Sequence, residues 1–485
     1  MLVTLAAYFL LLLAFFHRWS RRSDNDAFFR AERSSPWPMV AVGMVGASLS
    51  GVSFVSVPGW AASTHMTYLQ MCAGFFVGYL VVAFVLLPLY YKLRLTSIYS
   101  YLGLRYGSAS RRTGAACFMV GKMLGATARL SLVCAVLHHF VGVPLGISFP
   151  WMAAAVLLLI WGYTHKGGMH VLVRTDVLQT LCLLLSPVFM FWAVADSLQT
   201  DAVGLFQIVR QSDMSRVFEW DMASPQNFWR QFVSGIFVVI VMTGLDQDMM
   251  QKNLTCRSLR DAQKEMCAYG ACFLPLNLLL LALGVLLYSF CAARGIALPA
   301  SGDELMPMLV ASSALGTIVV VPFTIGVVAA AFSSADSAIT SLTTTACIDM
   351  LDVERRYQPI QAERLRRWVH LAVLAVFYVC MLVFHAAVGR SLIDTIYVMV
   401  SYTYGPLLGL YAYGLFSRRA VRDAYVPFVA LAAPLVCALL DYASPRLWGY
   451  TFGYELLLLN GAITMLGLWC LSLGKGRMKA VSPSL

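Results

Sequence analysis

Charged side chains are scarce in this 485-residue chain: Asp, Glu, Lys and Arg make up 12% of positions, while hydrophobic residues reach 60%. An ordinary soluble domain carries about 25% charged residues, so a fold dissolved mainly in water is excluded. Metal-ligand spacing is missing too. The cysteines lie mostly within apolar runs (Cys72, Cys117, Cys134, Cys182, Cys380) and read as reduced thiols facing core or lipid. His17, His65, His138, His139, His165, His170, His370 and His385 form no HExxH-like set, which argues against a membrane metalloenzyme and against any enzyme built on such a centre. No kinase or receiver module follows Lys475, so a membrane sensor would need a separate signalling partner.

What the chain does have is long apolar runs. Crossing ~30 Å of hydrocarbon takes about 20 apolar residues. About thirteen such runs are present, at 2–16, 37–60, 69–92, 115–141, 148–164, 176–198, 229–247, 265–292, 314–346, 368–388, 391–416, 424–441 and 455–473. The first resembles a signal peptide in its apolar stretch. It has no basic residues before it and no small-residue cleavage site before His17-Arg18, and is therefore read as a span.

The formal net charge of +11 is distributed unevenly. With the amino terminus outside, the inward loops collect Arg18, Arg21, Arg22, Arg30 and Arg33, then Lys92 to Arg112, Lys166, Arg174, Lys252 to Lys264, Arg355 to Arg367, Arg418 to Arg422 and Lys475 to Lys479. Outward loops keep only Arg210, Arg216, Arg230, Arg294, Arg390 and Arg446. This is the positive-inside bias, and it sets the amino terminus outside and the carboxy terminus in the cytoplasm. The basic excess then reports topology and anionic membrane lipid, not a nucleic acid.

Two spans carry break signals. The second reads GMVGASLSGVSFVSVPGW, with Gly43, Gly46, Gly51 and Pro58-Gly59 among hydroxyl residues; the seventh ends in VMTGLDQDMMQK, placing Gly244, Asp246, Gln247 and Asp248 after an apolar stretch. Backbone breaks survive at membrane depth only when buried in protein or lining a cavity. Their five-span separation suits an inverted repeat of five plus five helices whose first members unwind around a midplane site. Close glycine packing accounts for the same residues without a break, and both readings stay open at this point.

Ionisable residues inside spans are costly unless paired or hydrated. Lys122 lies near the inner end of its run, where it can snorkel to the interface in a structural role. Arg129 lies two turns deeper. Asp176 opens the sixth run, as a helix cap or as an ion ligand. In the ninth run, AAAFSSADSAITSLTTTACID, Ser333, Asp336 and Ser337 share one helix face. Hydroxyls, a carboxylate and freed carbonyls suit a hard cation such as sodium, whereas small-residue packing explains the serines but not Asp336.

In these residues the chain resembles the sodium/solute symporter family, whose members have the leucine-transporter type of fold. The likeness runs from FFRAERSSPW through GPLLGLYAYGLF. It rests on GASLSGVSFVSVPG, LPLYYKLRLTSIYSYLGLRYG, GGMHVLVRTDVLQT, TGLDQDMMQKNLTCRSLRDAQK and the Ala-x-x-Ser-Ser pattern of the ninth run. The resemblance implies a main sodium site made by carbonyls of Gly46, Leu49 and Ala330 with the hydroxyls of Ser333 and Ser334. It also implies a second cation site, as in sialic acid transporters of the family, at Asp176, Ser333, Asp336 and Ser337. Asp336 departs from that pattern, since a hydroxyl residue is expected there, so a second sodium and a proton are both open. Substrate positions implied in the same way are Ser48, Ser50, Ser53, Tyr68, Arg129 and Asp246, with Arg129 facing a substrate carboxylate.

The expectation is therefore an all-α integral membrane protein of about thirteen helices with a 5+5 inverted-repeat core and discontinuous first and sixth core helices. It would form one domain over 1–485: a leading helix (2–16), a ten-helix core (37–416), two further helices (424–473) and a cytoplasmic tail (474–485). The expected function is sodium-coupled import of a small, carboxylate-bearing solute across a bacterial inner membrane. A sodium/sugar or polyol symporter is the alternative, and a sensor the different class. Sodium is the coupling ion, with no cofactor and no obligatory protein partner implied.

Overall fold

A helix that unwinds inside a membrane must hand its freed backbone groups to other parts of the protein, and this requirement shapes the helix order. The computed structural model of the protein describes residues 8–10, 12, 24–49, 51–138, 142–222, 224–387 and 392–473. Ser50, all but four positions of the leading run 2–16, the tail 474–485, and Arg18, Arg21, Arg22, Arg390, Lys475, Arg477 and Lys479 lie outside the described residues.

In chain order the principal helices are α1 (Trp37–Ser48), α2 (Gly51–Thr64), α3 (Tyr68–Lys92), α4 (Ser108–Leu137), α5 (Phe149–His165) and α6 (Gly168–Ser197). The second half continues with α7 (Phe228–Gly244), α8 (Gln247–Asn253), α9 (Leu259–Arg294), α10 (Thr317–Met350), α11 (Pro359–Ala387) and α12 (Leu392–Phe416). Two more, α13 (Val426–Leu447) and α14 (Leu456–Ser472), follow. Among the described residues there is no strand, only an isolated bridge between Ser35 and Cys256.

Both expected breaks are present. α1 stops at Leu49, whose φ of −75° and ψ of 62° leave helical space, and Ser53–Thr64 is turned by 56° from α1. α7 ends in a π-helical turn, Ile240–Gly244, and α8 leaves it at 68°. Seven unbroken helices are long and apolar enough to cross a membrane, and the two bent pairs bring the number to nine among the described residues, against the thirteen expected. α5 and α14 are apolar but shorter, and α12 stands at a further expected position. Gly168 separates α5 from α6 with φ of 46°, a left-handed geometry that glycine adopts without a side-chain clash.

α10 is the central post. Small residues dominate it, so its backbone approaches neighbours closely, and 72% of its apolar window is buried, against 28% for α11 and 22% for α13. α3 and α7 cross as tightly: a Cβ on Gly74 would lie 2.1 Å from the Phe232 carbonyl, and one on Gly235 would lie 2.4 Å from that of Met71. This crossing holds the end of α7 where it breaks.

Gly74→Ala is expected to lower stability by about 1–3 kcal/mol, because the obstacle is backbone and cannot rotate away. Gly162→Ala, with nothing within 4 Å of its added Cβ, is expected to be neutral or stabilising. Thermal unfolding of the detergent-solubilised protein checks both, and equal shifts would refute the packing account.

Candidate functional site

The glycines of α1 bring α6 against it. A Cβ on Gly43 would sit 3.0 Å from Asp176 Cβ, and one on Gly46 would sit 1.9 Å from Thr180 Oγ1. Thr180 donates to the Val42 carbonyl at 3.1 Å and to that of Asp176 at 2.7 Å. On the other side of the break, a Cβ on Gly51 would lie 3.2 Å from the Val327 carbonyl of α10. Ser334 Oγ donates across to the Ala47 carbonyl at 3.4 Å. Gly46, Leu49, Ala330, Ser333 and Ser334 are thus gathered where α10 faces the α1 break, and all are buried apart from the few per cent left on Ser334. The Ser333 hydroxyl points elsewhere, donating to Asp176 Oδ1 at 2.6 Å.

The second expected cluster also forms, with one addition. Asp176 is not at a helix start: α6 begins at Gly168, so the residue lies two turns inside, fully buried, and capping is ruled out. Its other oxygen, Oδ2, is 2.7 Å from Lys252 Nζ. Lys252 is only 1% exposed, so the reading of it as an inward-loop charge fails. α8 turns it back into the protein. Asp336 Oδ2 accepts from Tyr163 at 2.9 Å, while Asp336 Oδ1 and Ser337 Oγ have no hydrogen-bond partner.

At the α7–α8 break, tyrosines supply what the helix lost. Tyr90 donates to the Gly244 carbonyl at 2.8 Å and Tyr99 to that of Leu245 at 3.0 Å. Asp246 caps α8, its Oδ1 accepting from the Asp248 and Met249 amides at 2.8 and 3.3 Å. Lys122 lies 3.2 Å from Asp246 Oδ2 and 2.7 Å from Asp248 Oδ2, with its side chain 12% exposed. It does not snorkel; it locks α4 to the break. Tyr404 donates to Asp246 Oδ2 at 2.8 Å.

Between these two breaks lies an open-mouthed cavity of about 130 Å³. Ser48, Ser53, Tyr68, Arg129 and Asp246 line it, as do Lys122, Asp248, Tyr269, Asn277 and Tyr404. Ser48 is hydrogen-bonded to Tyr269, which also accepts from Tyr79 at 2.8 Å. The structure therefore brings the described substrate candidates together, although both oxygens of Asp246 are already engaged. Asp248, named in the sequence as part of the break but not as a substrate position, has its Oδ1 without a hydrogen-bond partner. No hydrogen bond or ion pair holds the Arg129 guanidinium among the described residues.

The family model for sodium:solute symporters matches residues 28–424. The chain belongs to the sodium:solute symporter family. Its members are transporters, and the chain is counted with them and not with enzymes. The human sodium/iodide cotransporter is 28% identical over 251 residues, 51% of this chain and 38% of that protein. The sodium/sialic acid symporter NanT of Aliivibrio fischeri is 24% identical over 452 residues, covering 90% of this chain and 86% of the relative. SiaT of Proteus mirabilis, also a sodium/sialic acid symporter, is 22% identical and covers 86% and 84%. The match reaches less than half the length of some relatives, including the cotransporter and, at 42%, the rabbit sodium-dependent multivitamin transporter. A substrate-bound, outward-open Na+-coupled sialic acid symporter superposes with a TM-score of 0.82 over 98% of both chains at 18% identity. Mhp1, a nucleobase-cation symporter, gives 0.52 at 16%. At such identities the likeness establishes the fold, including its broken core helices.

Lys122→Met separates the two readings of that lysine. A surface lysine would cost less than ~0.5 kcal/mol, whereas stripping the cation from two buried carboxylates is expected to cost roughly 3–5 kcal/mol. Thermal unfolding with Lys122→Arg as the conservative partner measures which.

Proposed function

We propose that this protein is a sodium-coupled symporter that imports a small carboxylate-bearing solute by alternating access. Arg129 carries the reading: a guanidinium with no hydrogen bond or ion pair among the described residues lines the cavity between the two broken helices, and such a group matches a carboxylate in a bidentate way. Gly46, Leu49, Ala330, Ser333 and Ser334 form the sodium site, joining the α1 break to α10; the Ser333 hydroxyl gives its proton to Asp176 and keeps its oxygen lone pairs for the ion. Ser48, Ser53, Tyr68 and Asp246 shape the solute site around Arg129, with Ser50 in the same stretch. The sialic acid recognised by NanT and SiaT is itself an acid, which supports an anionic solute class. The chain acts as one domain in a bacterial inner membrane, with its amino terminus outside and its tail cytoplasmic.

Sodium binds better to one state of the carrier than to the other, and that difference is what biases it toward solute binding. Sodium moving down ~100 mV contributes ~2.3 kcal/mol, and a tenfold gradient adds ~1.4 kcal/mol. For a neutral solute the two terms together allow roughly 500-fold accumulation. A monoanion moving with one sodium carries no net charge, so only about tenfold remains.

Uptake into proteoliposomes, with a panel of labelled acids and sugars and with or without a sodium gradient, tests the reading. Sodium-driven uptake of an acid is expected, and Arg129→Ala should weaken its apparent affinity roughly 30-fold, the equivalent of ~2 kcal/mol for a desolvated charge pair. Sodium-driven uptake of neutral sugars with Arg129→Ala unimpaired would favour a sugar or polyol carrier. No sodium-driven uptake would refute symport.

A further inference from the structure

At the second expected cation position a charged side chain of the protein stands beside the carboxylate: Lys252 Nζ lies 2.7 Å from Asp176 Oδ2. Resting on the sodium-coupled reading, we propose that the Lys252 ammonium is the resident occupant of that position, so that the chain binds one sodium per cycle instead of two. Three observations carry this.

The first is that both oxygens of Asp176 already face a partner of the protein's own, one a hydroxyl and the other an ammonium in ion-pair contact. Ser333 holds Oδ1 at 2.6 Å and Lys252 holds Oδ2 at 2.7 Å, both within the interior. The second is that, of the expected ligand set, the atoms with neither a hydrogen bond nor contact with the ammonium are Asp336 Oδ1 and Ser337 Oγ. A hard cation gathers several oxygens at once, and two are a poor cage. The third is charge. Of the buried carboxylates Asp176 on α6, Asp248 on α8 and Asp336 on α10, Asp176 is in ion-pair contact with Lys252 and Asp248 Oδ2 with Lys122. Lys252 and Lys122 thus cancel two of the three negative charges that would draw a sodium here, and the ammonium of Lys252 stands 2.7 Å from the Asp176 oxygen such an ion would need. Tyr163 answers Asp336 from α5.

A tethered ammonium differs from an ion in one respect that matters for transport. It cannot leave on the inner side, so it adds nothing to the driving force, and with a monoanionic solute the cycle is electroneutral. Lys252 thus determines stoichiometry by holding a position that sodium would otherwise fill.

Binding of radioactive sodium to the purified full-length protein counts the sites directly and needs no knowledge of the solute. One sodium per chain is expected in the wild type, and Ser334→Ala should lower its affinity at least tenfold with no residual class of sites. Lys252→Met should gain a second sodium and show a larger sodium-induced rise in melting temperature than the wild type. Adding Asp176→Asn to it should return the count to one. Two sodium ions per chain in the wild type would overturn this inference alone, leaving symport intact. No sodium bound at all would overturn the coupling reading and this inference with it. Should Lys252→Met fail to fold, the wild-type count and Lys252→Arg, expected to bind one, still decide.

Discussion

Hydrocarbon offers no water to a carbonyl released from a helix, and each such group left alone costs several kcal/mol. The architecture follows from meeting that demand twice. At the second break the answer comes from outside the broken helix: Tyr90 and Tyr99 reach the Gly244 and Leu245 carbonyls, and Gln247 bonds back to the Ile98 amide and the Thr96 carbonyl. The connection after α3 is thereby fixed to the break it serves. At the first break the glycines let α6 and α10 approach closely enough for Thr180 and Ser334 to touch α1 carbonyls. Close packing and unwinding, which compete as explanations of the glycines in the sequence, are one device in three dimensions.

The same environment governs the charges. Asp176, Asp246, Asp248 and Asp336 are all buried, and Lys122 and Lys252 are placed so that each touches at least one of them. A buried pair of this kind contributes little to net stability, since desolvation offsets most of the attraction, yet losing one partner is expensive. Its value lies in fixing geometry: Lys122 ties α4 to α8, and Lys252 ties α8 to α6. Arg129 has no such contact among the described residues, and the proposed anionic solute is the chemistry that would complete it.

Much of this was legible in the sequence. The two breaks announced themselves through glycine and hydroxyl composition, and Ser333, Asp336 and Ser337 through their spacing on one face. Lys122 and Lys252 were misread for a common reason: distance along the chain to the nearest loop was taken as distance to water. That holds for a straight helix. It fails where a half-helix such as α8 starts at membrane depth, because its first two turns are still inside. Lys252 lies four residues beyond Asp248, immediately after the break, and that offset was the available signal. Asp176 was misplaced because the apolar run begins after it, whereas the helix begins at Gly168, in a stretch that carries His170, Arg174 and Thr175. Apolar runs mark what lipid sees, and helix ends follow from backbone geometry.

Ser333 and Ser334 are adjacent, and consecutive residues on a helix point about 100° apart. One therefore faces Asp176 and the other the α1 break, so α10 is shared between the sodium site and the lysine-held cluster. A sodium joining α1 to α10 can bias a conformational change only if α10 is a firm wall against which α1 moves. The Lys252–Asp176–Ser333 chain supplies that firmness by binding α8, α6 and α10 together without a dissociable ion. If that position held a second sodium, the wall itself would loosen whenever the ion left, and the two events would be coupled. With an ammonium there, the wall would persist through the cycle and the proposed single sodium would control the α1 contact alone.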